Sequence, residues 1–511
     1  MSAPHVPSVT SGERVRTAED LRTRASRAAT GFKALGVQEG DTVALFLRND
    51  FAFLEASNGA AAGGAYPVPI NWHSTADEAG YVLRDSGAKA LVVHEDLLPG
   101  IEAGVPAGLT VLVVPTPPEI AAAYGLSGWP APTIPTLDWD SWVVSHDLLT
   151  TPAASNRSAV IYTSGTTGRP KGVRRQAAAP GAPPPVGLSP FGLDLPQPIV
   201  VLMNGPMYHA APNIYGSMSL LVGASLVLQA RFDAQEMLQL IERHRITHMH
   251  IVPTMFVRLL KLPEDVRAKY DLSSLRFVVH GAAPCPPDVK RAMIDWWGPV
   301  ITEYYGSSET GLAAWHDAHE ALRKPGTVGR ALPGAEIRVY ADDGTILPPG
   351  EIGEIYIRNT GLPDFTYIGA EDKRREVGRG EFVTVGDVGY LDDEGFLFLC
   401  DRKRDMVISG GVNIYPAEIE TVLVTLDGVR DCAVFGIPDE EFGEALCAYV
   451  EPMDGVVLDD AGLKAALAER LSKYKVPRTI RIVADLPRED SGKIFKRRLR
   501  EPYWAGRERA I

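Results

Sequence analysis

The sequence predicts an α/β fold with mixed α+β parts: a large N-terminal domain of two αβ sheet subdomains and a small β subdomain, followed by a small mobile α+β C-terminal domain. Three observations lead to this prediction. Buried strands alternate with amphipathic helices from residue 17 to residue 280, short strands with glycine turns begin near Thr327, and a charge run at residues 401–405 precedes a further compact set of elements. A chain of 511 residues is also too long for one core, so two or three structural units are expected.

The first sheet is predicted from a regular alternation of elements. Helices are expected at residues 17–35, 51–62 and 76–86, and strands at 42–47, 65–70 and 90–93. In the first helix, Leu21, Ala25 and Phe32 recur at helical spacing, and Gly36 marks its end. This alternation predicts a doubly wound parallel sheet.

The same alternation returns after a proline-rich segment. Strands are expected at residues 198–203, 225–228, 249–252 and 277–280, with helices at 212–221, 234–244 and 253–260. The proline-rich segment 176–198 is expected to be an extended surface loop. Strands at 335–340 and 353–357 then indicate a smaller β unit.

The last part of the chain is predicted to be an independent α+β unit. Helices are expected at residues 416–426 and 459–471, and strands at 432–436, 445–450 and 479–483. The charge run lies before them, so the domain boundary is placed there. The expected division is 1–400 for the N-terminal domain, 401–404 for a hinge and 405–511 for the C-terminal domain.

Composition excludes several classes of protein. The net charge of −13 argues against nucleic acid as a partner. The four cysteines are scattered without metal spacing, which indicates reduced thiols and a cytoplasmic protein. The first residues lack the apolar run of a secretory signal, and the longest apolar stretch, 216–228, is too short and too rich in Gly and Ser to span a bilayer.

A segment rich in glycines and hydroxyl groups, residues 163–172, carries the strongest indication of chemistry. Glycines allow several backbone N–H groups to face one point, and the hydroxyls, Arg169 and Lys171 add donors and positive charge. These groups favour a polyphosphate ligand. The segment lacks Gly-Lys-Ser/Thr and a following helix former, so it differs from the P-loop of kinases and GTPases.

Seven further motifs follow this loop in order. They are Tyr208-His209, Gly281-Ala282-Ala283-Pro284, Tyr304-Tyr305-Gly306-Ser307-Ser308-Glu309, Gly386-Asp387, Asp401-Arg402-Lys403-Arg404-Asp405, Gly410-Gly411-Val412-Asn413-Ile414 and Ser491-Gly492-Lys493-Ile494. The ordered set resembles the adenylate-forming superfamily of acyl-CoA synthetases, adenylation domains and luciferases, and is most similar to AMP-forming acyl-CoA synthetases.

This resemblance implies an acid–thiol ligase with ATP, Mg²⁺ and coenzyme A as cofactors. The enzyme would activate a carboxylic acid to an acyl-adenylate, release pyrophosphate and transfer the acyl group to CoA as a thioester. Both the carboxylate and the α-phosphate are anions, so the site must neutralise charge, align the attack and remove water.

The resemblance assigns the nucleotide to residues from most of the motifs. The expected set is Thr163, Ser164, Gly165, Thr166, Thr167, Gly168, Lys171, Gly281, Ala282, Ala283, Tyr304, Tyr305, Gly306, Ser308, Asp387, Arg402, Gly410 and Gly411. Tyr305 is expected to stack on adenine and Asp387 to accept from the ribose hydroxyls. Glu309, also expected to be catalytic, and Thr166 are the expected Mg²⁺ ligands, since Mg²⁺ takes one or two protein carboxylates beside phosphate oxygens.

The C-terminal motifs are expected to act by domain rotation. Lys493 is the expected catalytic cation of adenylation, because an ammonium can bridge a carboxylate and an α-phosphate. Arg404 occupies the family's hinge position, about which rotation exchanges Lys493 for Gly410 and Gly411 in thioester formation. Four further cations near Lys493 are expected to be surface charge or CoA-phosphate contacts: Lys496, Arg497, Arg498 and Arg500.

The acid is expected to be hydrophobic, either fatty or aromatic. Tyr208-His209 stands where amino-acid-activating relatives carry Phe-Asp, and a buried ammonium without that Asp would be costly. Four residues are expected to bind the acid: Tyr208, His209, Gly281 and Tyr304. His209 is also counted as catalytic because it flanks or gates the pocket. Further apolar lining is expected from Met203, Ile214 and Val279, whereas His248 and His250, which have no evident third metal ligand, are expected to be structural.

Several alternatives stay open from the sequence. A basic surface near Arg174 and Arg175 favours CoA as acceptor, but an amine acceptor would make the protein an adenylating amide synthetase. Delivery to a carrier protein and a catalytically inactive acyl or nucleotide sensor are further alternatives, and a homodimer is not excluded. Two departures from the family alter the surroundings of the entrances for the acceptor and the acyl group. The segment before the first helix is short, so the first sheet could lose an edge strand, and the proline-rich segment replaces the helix that normally follows the phosphate loop.

Overall fold

The computed structural model describes residues 6–154, 157–163, 170–177, 187–409, 412–488 and 494–505. The first part contains β1 (Ser8–Ser11), β2 (Arg14–Thr17), α1 (Ala18–Ala34), β3 (Thr42–Phe46), α2 (Phe51–Ala62), β4 (Tyr66–Pro69), α3 (Ala76–Asp85), β5 (Ala90–His94), α4 (Leu98–Ile101), β6 (Thr110–Val114), α5 (Pro118–Tyr124), β7 (Leu137–Asp138) and α6 (Trp139–Val144). Strands β4-β3-β5-β6-β7 pair in this order as a wholly parallel sheet, as the alternation predicts.

Helix α1 illustrates how local sequence fixes these elements. The Thr17 side chain accepts from the Asp20 N–H and begins the helix, while Leu21, Ala25 and Phe32 form its buried face. Helices α1 and α2 approach closely at Gly59, where a Cβ would lie 2.8 Å from the Ala25 carbonyl oxygen. A small residue is therefore required at that crossing.

The middle of the chain forms a second, larger sheet. Its elements are β8 (Ile161–Thr163), β9 (Lys171–Arg175), β10 (Val200–Met203), α7 (Ala210–Leu221), β11 (Ser225–Leu228), α8 (Ala234–His244), β12 (His248–Ile251), α9 (Pro253–Leu260), α10 (Glu264–Arg267), β13 (Phe277–His280), α11 (Pro287–Trp297), β14 (Ile301–Ser307), β15 (Gly311–His316) and α12 (Ala318–Arg323). Strands β11-β10-β12-β13-β14 are parallel, so their carboxyl ends meet along one edge.

The smaller β unit continues this sheet. It comprises β16 (Thr327–Ala331), β17 (Ala335–Tyr340), β18 (Gly353–Asn359), β19 (Phe365–Tyr367), α13 (Glu371–Glu376), β20 (Gly378–Arg379), β21 (Phe382–Val383), β22 (Asp387–Leu391) and β23 (Phe396–Arg402). The sheet becomes antiparallel at the β14–β15 pair and runs on through β16, β23, β22 and β18. Separately, β8, β9 and β19 form a small antiparallel sheet.

The C-terminal unit has its own sheet and core. It contains β24 (Val407–Ser409), β25 (Val412–Ile414), α14 (Pro416–Leu423), β26 (Val429–Asp439), β27 (Gly443–Pro452), α15 (Asp460–Arg470), β28 (Thr479–Ile482) and α16 (Lys496–Trp504). Strands β25-β24-β27-β26 pair in this order, and β28 joins β27 in parallel. The prediction of a large N-terminal and a small C-terminal unit is confirmed.

Two regions differ from their sequence-based descriptions. The residues before α1 form the β1–β2 hairpin, and β1 pairs in parallel with β11 of the larger sheet. The proline-rich segment 176–198 was expected to be a surface loop, but Phe191, at the end of a short 3₁₀ turn (Ser189–Phe191), and Leu193 are buried in the main core. Burial of these large apolar side chains removes apolar surface from water. Residues 178–186 of that segment lie outside the described residues.

Within the described ranges, no helix combines the length and apolar character needed to cross a lipid bilayer.

Candidate active site

A large cleft, of about 3640 Å³, runs along the carboxyl ends of the parallel strands and reaches the C-terminal unit. It is lined by many of the residues that the sequence singled out: Thr163, Lys171, Tyr208, His209, Ala282, Ala283, Tyr304, Tyr305, Gly306, Ser308, Glu309, Asp387, Arg402 and Arg404. In open α/β sheets, ligands bind at this edge. The cleft is therefore the candidate active site.

The glycine-rich segment is represented by the two strands that flank it. Strands β8 and β9 pair in antiparallel fashion with Thr163 opposite Lys171, so both residues lie at the same end of the hairpin. Burial lowers the pKa of the Lys171 ammonium, which lies 5.2 Å from the centre of the Tyr367 ring. The expected phosphate ligands Ser164, Gly165, Thr166, Thr167 and Gly168 fall outside the described residues.

Glu309 lies on the tight turn between β14 and β15. The Ser307 hydroxyl accepts from the N–H groups of Glu309, at 3.2 Å, and Thr310, at 3.0 Å. On the side chain, the Tyr367 hydroxyl donates to Glu309 Oε1 at 3.2 Å. The second carboxylate oxygen borders the cleft without a hydrogen-bond partner among the described residues, so the turn fits an Mg²⁺ ion that is otherwise held by phosphate and water oxygens.

The segment after β13 brings bare backbone to the cleft. At Gly281 a Cβ would lie 2.8 Å from the Tyr304 ring and carbonyl oxygen, so this position tolerates no side chain. Ala282 has a φ of +67°, a left-handed conformation that costs an alanine roughly 1–2 kcal/mol. Ala282 and Ala283 are exposed to the cleft. A strained, flat surface of this kind suits close contact with a planar ring.

Three of the expected nucleotide residues form one hydrogen-bonded group. The Tyr305 hydroxyl donates to Asp387 Oδ2 at 2.6 Å, and Arg402 Nε donates to Asp387 Oδ1 at 3.2 Å. Burial, together with the Asp387 charge, raises the pKa of Tyr305 well above its usual value, so the phenol remains a donor. These residues come from β14, β22 and β23, and each borders the cleft.

The expected acyl side of the cleft is built of aromatic rings. Tyr208 packs edge-on against Trp72, with ring centres 4.7 Å apart, and lies 4.4 Å from the His209 ring. The Tyr304 hydroxyl and His250 Nε2 are 2.9 Å apart, and Phe191 packs against Tyr304. The aromatic composition suits an apolar acid.

Some expected lining residues lie elsewhere. Met203 and Val279 are fully buried in the core behind the cleft, whereas Ile214 does border it. His248 uses both ring nitrogens locally, because Thr247 Oγ1 lies 2.7 Å from Nδ1 and the Gly192 carbonyl 3.0 Å from Nε2. Within the described ranges, no group of three or more His, Cys, Asp or Glu side chains forms a metal site.

The C-terminal unit closes one side of the cleft. Asp401 Oδ2 accepts from the Ala417 N–H at the start of α14, and Lys261 Nζ donates to the carbonyl oxygens of Val429 and Arg430 at 2.5 and 3.0 Å. Ile494 pairs with Arg488 in an isolated β-bridge and borders the cleft. Lys493, Gly410 and Gly411 lie outside the described residues.

Sequence comparison assigns the chain to a family. The model for AMP-binding enzymes matches residues 2–363, and the model for their C-terminal domain matches residues 418–493. The chain belongs to the AMP-binding enzyme family. Its resemblance to adenylate-forming enzymes, predicted from the ordered motifs, is therefore confirmed.

Relatives of this AMP-binding enzyme span several acids. The chain is 33% identical to a feruloyl-CoA synthase of Amycolatopsis sp over 522 residues, covering 98% of this chain and 96% of the relative. It is 32% identical to the long-chain-fatty-acid–CoA ligase FadD13 of Mycobacterium tuberculosis, with 96% and 93% covered. The amide bond synthetase McbA of Marinactinospora thermotolerans has a similar structure, with a TM-score of 0.79, 26% identity and 98% and 97% covered.

Two cations of this AMP-binding enzyme have other partners than expected. Arg175, expected on a basic CoA surface, borders the cleft and donates to the backbone of residues 308, 309 and 363. Lys496, expected as surface charge or a CoA contact, forms an ion pair with Glu420 at 2.7 Å. Both had been placed by their neighbours in sequence, whereas their partners lie far away along the chain.

Sequence reasoning missed two other contributors. Phe191 lies in the proline-rich segment and borders the cleft, and its large apolar side chain was the available signal. Asn49 brackets the loop before Tyr208: its Nδ2 donates to the Gly205 carbonyl and its Oδ1 accepts from the Met207 N–H, both at 2.8 Å. No local pattern in the sequence indicates this role of Asn49.

Proposed function

We propose that this AMP-binding enzyme is an AMP-forming acyl-CoA synthetase acting on a hydrophobic, fatty or aromatic, carboxylic acid. The observation that carries the proposal is the Tyr305–Asp387–Arg402 group beside the Glu309 turn, in a cleft whose other end is aromatic. The feruloyl-CoA synthase and the fatty-acid–CoA ligase among its relatives support both the reaction and the acid class.

In the proposed adenylation step, the acid carboxylate attacks the ATP α-phosphorus and pyrophosphate leaves. Asp387 accepts hydrogen bonds from the ribose, Tyr305 packs against the adenine and Arg402 approaches the phosphate. The glycine loop, with Thr163 and Lys171, holds the β- and γ-phosphates. Mg²⁺ held by Glu309 and Thr166 would supply positive charge to the phosphate oxygens.

The catalytic cation in this proposal is Lys493, carried by a C-terminal domain of residues 405–511 that turns about Arg404. Asp401 bonds to the Ala417 N–H and Lys261 bonds to β26, so both contacts must break when the domain turns. Rotation then brings Gly410 and Gly411 to the cleft, where the CoA thiol attacks the acyl carbon of the adenylate. The carboxyl oxygen of the adenylate leaves with AMP as the thioester forms.

The two half-reactions provide the test of Lys493. Lys493→Ala is expected to reduce acid-dependent exchange of pyrophosphate into ATP by about 1000-fold or more, because transition-state charge loses its cation. Thioester formation from a supplied acyl-adenylate should remain within about threefold of wild type. Equal loss of both half-reactions would contradict the assigned role.

The acceptor is tested by a panel of acids followed by an acceptor swap. Fatty and aromatic acids are screened by pyrophosphate release, and AMP release by the best acid is then compared with CoA and with amines. A CoA-dependent thioester, identified by mass, is expected. The alternative is an amide synthetase, favoured by the structural similarity to McbA, and amide formation without any thioester would establish it.

The proposal includes a reducing, cytoplasmic location and leaves a homodimer open. All four cysteines are free thiols, and burial raises the pKa of the Cys285 thiol to about 12 and that of Cys400 to about 11. Thiols of this kind are poor nucleophiles and have a structural role.

A further inference from the structure

Arg175 reaches the Glu309 turn from the far end of the glycine-loop strand. Its Nη2 donates to the Ser308 carbonyl at 2.7 Å and to the Glu309 carbonyl at 2.9 Å, while Nη1 donates to the Pro363 carbonyl at 3.0 Å. No ion pair to Arg175 occurs in the described part of the chain, so backbone oxygens satisfy most of its donors. A guanidinium used in this way acts on backbone geometry.

The turn needs such a partner. Two successive carbonyl groups, those of residues 308 and 309, face the same point, and their dipoles repel unless a donor lies between them. The N–H groups of Glu309 and Thr310 bond to Ser307 on the other side of the turn. Arg175 therefore completes the hydrogen bonding of the segment that carries the Glu309 side chain.

The strand that carries Arg175 also carries a phosphate contact. Lys171 and Arg175 lie four residues apart on β9, at its two ends, and therefore project to the same face. Arg175 pairs in register with Phe365 and Val173 with Tyr367, whose hydroxyl donates to Glu309. One short strand thus connects the glycine loop with both the backbone and the side chain at position 309.

Burial lowers the pKa of the Arg175 guanidinium, whereas the charges of Glu309 and Asp364 raise it. The side chain stays charged near neutral pH because an arginine pKa lies far above 7. It therefore places a fixed positive charge beside the Glu309 carboxylate, in addition to its backbone contacts.

We propose that Arg175 is a positioning residue for the Glu309 carboxylate and couples the glycine loop to the metal-ligating turn. This inference rests on the proposed function, in which Glu309 holds Mg²⁺ beside the ATP phosphates. Arg175 sets the affinity for Mg²⁺-ATP, while the adenosine half of the site, around Asp387, is independent of it. Arg175 is correspondingly not a contact for CoA.

The test compares Arg175→Met and Arg175→Lys with a matched control, Arg374→Met. Arg374 lies 4.8 Å from the same Phe365 ring that Arg175 approaches at 5.9 Å, but its side chain pairs with Asp364. Calorimetry measures the binding of AMP and of a non-hydrolysable ATP analogue over a Mg²⁺ titration. Pyrophosphate exchange and thioester formation from a supplied acyl-adenylate are measured in parallel.

Arg175→Met is expected to weaken Mg²⁺-dependent binding of the ATP analogue by roughly 10- to 100-fold, the usual effect of removing a group that orients a metal ligand. The Mg²⁺ concentration for half-maximal exchange should rise by a similar factor. AMP binding and thioester formation should stay within about twofold of wild type, since neither uses the triphosphate. Arg175→Lys should recover part of the loss because it keeps the charge without the planar fork.

Three results would overturn the inference: an unchanged Mg²⁺ dependence, an equal loss of AMP and ATP-analogue binding, or the same effect from Arg374→Met. If Arg175→Met does not fold, Arg175→Lys carries the same comparison. The binding measurements need no acid. If Arg175→Met weakens Mg²⁺-dependent binding of the ATP analogue as expected, but the wild-type protein makes no thioester, only the proposed function is refuted. A thioester-forming enzyme with unaltered Mg²⁺ dependence in Arg175→Met would refute the Arg175 role alone.

Discussion

Two polar side chains on strand β14 lie only two residues apart and have different surroundings. Tyr305 reaches Asp387 and Arg402, and all three border the cleft. Glu303 and Lys290 also line the cleft, but Glu303 contacts Lys290 on α11, accepts from His316 Nε2 at 2.8 Å and lies 3.9 Å from His280 Nδ1. These four residues are buried, at 5% exposure or less.

The difference separates a binding group from a packing group. The Arg402 side chain remains 44% exposed beside the cleft, so this cation can reach a ligand. The Lys290 side chain is only 6% exposed and is neutralised by Glu303, whose pKa stays well below its usual range; burial opposes that shift, and the charge of Lys290 is the largest cause that overcomes it. The buried cluster therefore supports the strand ends that carry the site, and changes there should alter stability before chemistry.

The largest effect is expected from Glu303→Ala. Removing one partner of a buried ion pair leaves Lys290 uncompensated and typically costs about 3–5 kcal/mol of unfolding free energy. Urea denaturation measures this loss. The double variant Glu303→Leu with Lys290→Met should recover much of it, since an apolar pair needs no charge compensation; a stable Glu303→Ala with lost ATP binding would instead move Glu303 to the binding group.

Asp387→Asn should impair the use of ATP and leave stability unchanged, the reverse of Glu303→Ala. An amide keeps the shape but cannot accept from Tyr305, Arg402 and a ribose as a carboxylate does, so kcat/KM for ATP should fall about 100-fold, or about 2.7 kcal/mol. Its urea midpoint should match that of Asp342→Asn, a control at a surface ion pair with Lys403. A loss of stability as large as that of Glu303→Ala would remove the distinction between the two groups.

The buried cluster should also make stability depend on pH through His280. Burial lowers the pKa of His280 from 6.5 to about 3, so the ring stays neutral in the folded protein while the unfolded chain takes up a proton below pH 6.5. Stability should fall as pH decreases from 6.5 towards 3, by up to about 1.4 kcal/mol per pH unit from this residue. Urea unfolding of His280→Gln should show a smaller slope in that window; an unchanged slope would contradict a neutral buried ring.

The sequence predicted most of the regular elements because flanking residues mark their ends. Strands Ser225–Leu228 and Phe277–His280 and helix Phe51–Ala62 agree with prediction at both ends. The β1–β2 hairpin was missed, since its short polar strands carry little apolar periodicity and depend on pairing with β11, more than 200 residues away.

Local motifs identified side chains that the fold brings together, whereas contacts between residues distant in sequence were not predicted. Asp387, Tyr305 and Arg402 were each identified from local motifs, and the fold brings them together. The backbone contacts of Arg175 were not predicted, because its partners, residues 308 and 309, lie 133 and 134 positions away. Contacts at that separation depend on how the sheets pack, which local patterns do not report.

The smallest effect, and the finest test of the comparison, is expected from Tyr305→Phe. The variant keeps the ring that packs on adenine and removes only the hydroxyl that donates to Asp387 at 2.6 Å. A hydrogen bond to a charged group contributes about 1.5–3 kcal/mol, but Arg402 remains on Asp387, so the loss in ATP affinity should be nearer 1 kcal/mol, about fivefold. Tyr304→Phe, which removes the hydroxyl near His250, is the matched control and should leave ATP affinity unchanged while altering the KM of the acid. If Tyr305→Phe left ATP affinity unchanged, Tyr305 would act through packing alone, and the hydrogen-bonded group beside the cleft would lose its distinction from the rest of the strand.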